Sequence, residues 1–156
     1  MVKVFDAVYM FPDVLFNVKV VITLKPKILN TENLSNLKCL KILDYCAPSY
    51  IEGLSILGGE PFCNLSITLQ LVEAFRQRFG HTKTIWVWTG FLFEYLKQQN
   101  DARKSLLEHI DVLVDGPFIL EEKDLSLLFR GSRNQRVIDM KKTLKENKII
   151  LSKFNK

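Results

Sequence analysis

The sequence predicts an α/β protein built on a mostly parallel sheet covered by helices. Three observations carry this. Short apolar or β-branched runs alternate with segments of helical periodicity. Parallel neighbours in such a series require helical crossovers. Three of the runs end in turn chemistry, at Gly58-Gly59-Glu60, Thr89-Gly90 and Asp115-Gly116.

The elements follow in order. Val18–Leu24 (VKVVITL) is rich in β-branched residues and reads as a strand. Thr31–Tyr45 reads as a helix capped by Asn30 or Thr31, with Leu34, Leu37, Leu40 and Leu43 at near-helical spacing. Gly53–Leu57 is a short buried strand. Pro61 and Asn64 lead into a helix over Leu65–Phe79, where Leu69, Val72, Ala74, Phe75 and Phe79 recur and Gly80 stops the run. Thr84–Thr89 is the next strand, followed by a helix from Gly90 through about Gln98. A helix near Ala102–His109 runs into the strand Ile110–Val114, and a last strand over Arg136–Met140 precedes a helix over Lys141–Glu146. No internal repeat or linker interrupts the 156 residues, which suit one domain with a single core: 47% are hydrophobic and 25% charged.

Charge and cysteine usage narrow the function classes. The net charge is +5, but residues 141–156 hold six Lys and one Glu and so carry all of it. The other 140 residues hold 16 basic and 16 acidic side chains. A neutral body with a basic tail, lacking an aromatic-interleaved basic stripe, argues against sequence-specific nucleic-acid reading. The tail is expected to be a solvated end or a docking segment. No run approaches the roughly 20 apolar residues of a membrane span. The N-terminal MVKVFDAVYMFPDVLF, with Asp6 and Asp13, does not read as a secretory signal. Three cysteines, an odd number, suggest no disulfide framework and point to a cytoplasmic location.

In a parallel α/β fold, ligands sit at the carboxyl ends of strands, so the three turns are expected on one rim. Gly58-Gly59-Glu60-Pro61 is the sharpest local feature. Two glycines let the backbone come close to a ligand, and Glu60 adds a carboxylate; an ordinary strand-to-helix turn is the other reading. Neither a dinucleotide fingerprint nor a P-loop is present. Asp115 is a turn cap or a polar rim group. Trp86 and Trp88 share one strand face and are expected in core or helix-facing packing. Arg130 and Arg136 flank a donor-rich run that reads as a surface turn or as a clamp for an anion. Cys39, Cys46 and Cys63 are spaced by seven and 17 residues and match no ligand pattern, so no metal site is expected from them.

The segments YIEGLSILGGEPF (50–62), TKTIWVWTGFLFEYL (82–96), IDVLVDGPF (110–118) and FRGSRNQRVIDM (129–140) together resemble the activating proteins of anaerobic (class III) ribonucleotide reductase, small members of the radical S-adenosylmethionine superfamily. The resemblance covers roughly residues 31–140, leaving 1–30 as a divergent segment and 141–156 as the basic tail of a single domain. It implies a small, partial (open) β/α barrel. It implies S-adenosylmethionine as cofactor, a [4Fe-4S] cluster held by C-x-x-x-C-x-x-C, and reductive cleavage that places a glycyl radical on the large subunit of the reductase. By position it assigns cofactor contacts to Gly58, Gly59 and Glu60, and to Thr89 and Asp115 on the same rim. The segment Gly131, Ser132, Asn134, Gln135 and Arg136 is a family mark without an assigned role.

The sequence departs from the family in one respect. C-x-x-x-C-x-x-C is absent, and the three cysteines lie after its place. If Phe16-Asn17 marks its remnant, Val8, Pro12 and Leu15 stand where thiolates are needed, and none of them binds iron. The expectations are therefore an activator by descent with impaired activity, a non-catalytic protein that binds the reductase or S-adenosylmethionine, or, third, a small basic nucleic-acid-binding domain.

Overall fold

In the computed structural model, the structure describes residues 5–10, 19–24 and 36–156. Six strands form one sheet in strictly sequential order: β1 (Phe5–Met10), β2 (Lys19–Leu24), β3 (Gly53–Leu57), β4 (Thr84–Trp88), β5 (Val112–Asp115) and β6 (Arg136–Asp139). The central pairings β2–β3, β3–β4 and β4–β5 are parallel, while β1–β2 and β5–β6 at the two ends are antiparallel. The mostly parallel α/β fold expected from the sequence is thus what forms. Each parallel step is crossed by helix: α1 (Asn36–Cys46), α2 (Leu65–Phe79), and the pair α3 (Phe93–Gln98) and α4 (Ala102–His109). The last helix, α5 (Met140–Glu146), follows β6. When each parallel strand lies beside its predecessor, right-handed crossovers put all their helices on one face; accordingly α1 packs on α2, α2 on α4, and α4 on α3 and α5.

Alternation along the strands sorts the side chains. Val20, Ile22, Leu54, Ile56, Ile85, Val87, Leu113 and Ile138 turn to the helices and bury against Leu71, Val72 and Phe75 of α2, Leu96 of α3 and Leu106 of α4. The intervening residues Trp86, Val114 and Val137 form a second cluster, packed by Trp88, Val112, Phe129 and Phe154. Trp86 and Trp88 do share a face, as the alternation predicts, but it is the helix-free one, covered by loop and tail rather than by helices. Lys19 lies on Trp86, its amine 3.5 Å from the ring centroid, and burial pushes its pKa down to about 7.

The 141–156 segment is more than a solvated end. Beyond α5 the chain returns beside β6: the Ile150 carbonyl accepts from Asp139 N at 2.9 Å and Ser152 N donates to the Val137 carbonyl at 2.7 Å. Leu151 bridges to Ile138, and Phe154 then packs against Trp86 and Phe129 with ring centroids 5.4 and 5.3 Å away. The segment thus covers the outer edge of β6.

The start of α3 and the presence of β1 differ from the sequence reading. α3 begins at Phe93 rather than at Gly90, because Leu92 keeps an extended backbone (φ −82°, ψ 145°), while the amides of Gly90 and Phe91 before it bond to the side chains of Glu60 and Thr89. β1 was not expected from the sequence. The Asn30 or Thr31 cap and the positions of Pro12, Leu15, Phe16 and Asn17 lie outside the described residues, and Val8 falls in β1.

Candidate functional site on the strand rim

The turn after β3 is wound in the left-handed region at three successive residues, Gly58 (φ 68°), Gly59 (φ 55°) and Glu60 (φ 43°). Glycine takes that conformation freely, but a side chain there costs about 1–2 kcal/mol. Asn64 at the start of α2 offsets the strain. Its amide, instead of capping its own helix, turns back to donate to the Gly59 carbonyl and, at 3.1 Å, to that of Glu60. Cys63 N donates to the Glu60 carbonyl at 2.9 Å, and Thr68 Oγ1 to the Pro61 carbonyl at 3.0 Å, which completes the turn.

This geometry aims Glu60 across the sheet. Its Oε1 accepts from Thr89 Oγ1 at 2.7 Å and Phe62 N at 3.2 Å, and its Oε2 accepts from Gly90 N at 2.8 Å. Glu60 and Thr89-Gly90, 29 and 30 residues apart in sequence, therefore meet at the carboxyl ends of β3 and β4. A carboxylate offers about four acceptor positions. Among the described residues three are filled, leaving one on Oε2.

Asp115, at the end of β5, stands on the same rim but is differently employed. It is fully buried, and its Oδ2 accepts from Phe93 N at 2.8 Å. Arg136 Nε donates to its Oδ1 at 2.9 Å, and a second guanidinium nitrogen to Oδ2. The same Arg136 forks onto both oxygens of Glu94 at 2.9 and 2.8 Å. This fork holds the Glu94 carboxyl down at about 2 and raises Arg136 further. Arg136 is thus spent on two internal carboxylates. Arg130 donates to the Gln135 carbonyl at 2.6 Å and to Asn155 Oδ1 at 3.0 Å. Both arginines that flank the donor-rich run, Arg130 and Arg136, act inside the fold. The Arg136–Glu94–Asp115 group and the Asn64 clamp were not visible in the sequence, because only the fold brings most of their partners together.

The chain's cysteines do not form a cluster site. Cys39 and Cys46 sit in the core on α1, and Cys63 is exposed beside the Gly-Gly turn. Burial pushes the Cys46 thiol up to about 12, outweighing the lowering by Lys83 and Arg78, and raises Cys39 as well. Among the described residues no group of three or more His, Cys, Asp or Glu is placed to hold a metal ion. None of their helices is long and apolar enough to cross a membrane.

Fold and rim together define an α/β protein with a polar turn site at the carboxyl ends of its parallel strands. Its family follows from comparison: the chain belongs to the 4Fe-4S single cluster domain family, which matches residues 17–138. It is similar to the anaerobic ribonucleoside-triphosphate reductase-activating protein of Vibrio cholerae, 47% identical over 86 residues, or 54% of this chain and 53% of that protein. The proteins of the same name from Escherichia coli K12 (42% over 88 residues, 55% of this chain and 54% of that protein) and Enterobacteria phage T4 (38% over 101 residues, 62% and 59%) are also similar. The chain spans about half the length of the first of these curated relatives. No solved structure matches. The family's description supports an iron–sulfur cofactor, yet the three cysteines present do not fit one.

Proposed function

We propose that this chain is an activating protein of anaerobic ribonucleotide reductase by descent, which keeps a rim that recognises S-adenosylmethionine and a body that docks on the large reductase subunit, but does not itself form the glycyl radical. The observation that carries the reading is the Glu60 carboxylate, fixed by Thr89, Gly90 and Phe62 with an acceptor position left over. The amino group of S-adenosylmethionine is a cationic donor suited to it. Gly58 and Gly59 let the backbone approach that end of the cofactor, Thr89 orients Glu60, and Asp115 supports the neighbouring turn. When bound, S-adenosylmethionine supplies a sulfonium whose carbon–sulfur bond opens on one-electron reduction. No described set of side chains holds the cluster that would deliver that electron. The sequential strand order and single helix layer support reading the sheet as a partial, open β/α barrel of the radical S-adenosylmethionine type.

Titration calorimetry with S-adenosylmethionine tests this. The wild type is expected to bind, and Glu60→Ala to weaken binding about tenfold or more, as expected for loss of a charge-assisted hydrogen bond. Absence of wild-type binding, or equal affinity of the two proteins, would overturn the cofactor part. A pull-down against the large reductase subunit tests the docking part, and failure to retain the subunit would overturn it.

A further inference from the structure

We propose that the Gly131-Ser132-Arg133-Asn134-Gln135-Arg136 segment is the positioning device of the rim: it sets the Thr89–Phe93 turn against the Glu60 carboxylate. As an account of a cofactor site, this rests on the S-adenosylmethionine reading above.

Two arms run from adjacent residues to the same turn. In the first, Gln135 Nε2 donates to the Gly116 carbonyl at 3.0 Å, and Gly116 N donates to the Phe91 carbonyl at 3.0 Å. In the second, Arg136 holds Asp115, whose Oδ2 accepts from Phe93 N at 2.8 Å. Phe91 and Phe93 are the middle and last residues of the turn, and Gly90, next to Phe91, donates to Glu60 Oε2. Arg136 also grips Glu94 on α3, so the start of that helix is tied to β5 and β6 from both sides.

The segment is itself held rigid. Gln135 Oε1 accepts from Gly131 N at 2.9 Å and Ser132 N at 3.2 Å, so a single amide closes its own loop with its oxygen and reaches Gly116 with its nitrogen. Buried Ser132 accepts from Ile119 N at 3.2 Å, and Asn134 Nδ2 donates to the Pro117 carbonyl at 2.7 Å. Gly116 carries a φ of 96°, and its neighbours Asn134 and Gln135 lie just beyond the place of a Cβ. Each polar side chain of the segment other than Arg133 thus acts on the β5 turn or on the segment's own closure. Their common output is the position of residues 89–93.

The test is amide hydrogen exchange read at Gly90 and Phe93, with the β3 amides of Leu54 and Ile56 as the global reference. Arg136→Lys keeps a positive charge beside Asp115 and removes the fork; Gln135→Ala removes the other arm without touching a buried charge. Each variant is expected to lower protection at Gly90 and Phe93 about tenfold, as for loss of one local constraint, while Leu54 and Ile56 stay protected. Wild-type protection at Gly90 and Phe93 in both variants would overturn the proposal, as would an equal loss at all four amides, the mark of a merely structural role. Calorimetry with S-adenosylmethionine separates the two claims. If the wild type does not bind, the cofactor reading fails while exchange still decides the clamp; if it binds, both variants are expected to weaken it by a similar factor.

Discussion

Gly53 on β3 pairs with Thr84 on β4, and a Cβ there would lie 2.0 Å from the Thr84 carbonyl oxygen. Neither strand can yield without losing its ladder, so Gly53→Ala is expected to destabilise the fold by about 1–3 kcal/mol. Thermal unfolding measures this, and an unchanged midpoint would refute the contact. Glu60 is the residue whose importance could be read in advance, since two glycines after a strand announce a turn of unusual conformation. That its carboxylate reaches Thr89 and Gly90 was legible only through the rim argument. Arg136 was not legible in that way. Its partners Asp115 and Glu94 are 21 and 42 residues away, and nothing local marks an arginine as the hub of two carboxylates.

At the scale of elements, β3, β4, α2 and α4 followed from periodicity because each is bounded by turn or capping chemistry within a few residues. The start of α3 did not, since it is set by the extended Leu92, which makes no side-chain cap and is not a residue of capping type. The tie between α3 and the β5–β6 hairpin makes a pH prediction. Glu94 is lowered from 4.5 to about 2 in the fold, chiefly by its hydrogen bond to Arg136. A depressed carboxyl contributes stability that is fully present above about pH 4.5 and is lost as pH falls towards 2. Glu94→Gln is therefore expected to lower the unfolding midpoint slightly at neutral pH, by less than about 1 kcal/mol for so exposed a pair. The gap from wild type should close between pH 4.5 and 2; a pH-independent gap would contradict the assignment. The tail gives a second prediction. Phe154→Ala uncovers Trp86 and Phe129 and is expected to shift tryptophan emission to the red and cost about 1–3 kcal/mol for a partly buried ring. Unshifted emission would mean that the tail does not cover that face.

For the whole molecule, the family and the cysteines disagree. The body matches a family described by a 4Fe-4S cluster, while its thiols lie in the core of α1 and alone on the surface. The sequence already exposed this conflict, because ligand spacing is a local pattern whose absence is as readable as its presence. What it could not tell was whether folding would gather the three cysteines, and their placement answers that. Anaerobic reconstitution with iron and sulfide, followed by absorbance in the cluster's charge-transfer region and iron analysis after gel filtration, decides whether this chain can hold a cluster. A folded chain is expected to retain no iron and to show no charge-transfer band. A stoichiometric cluster, with four irons per chain and its band, would contradict it.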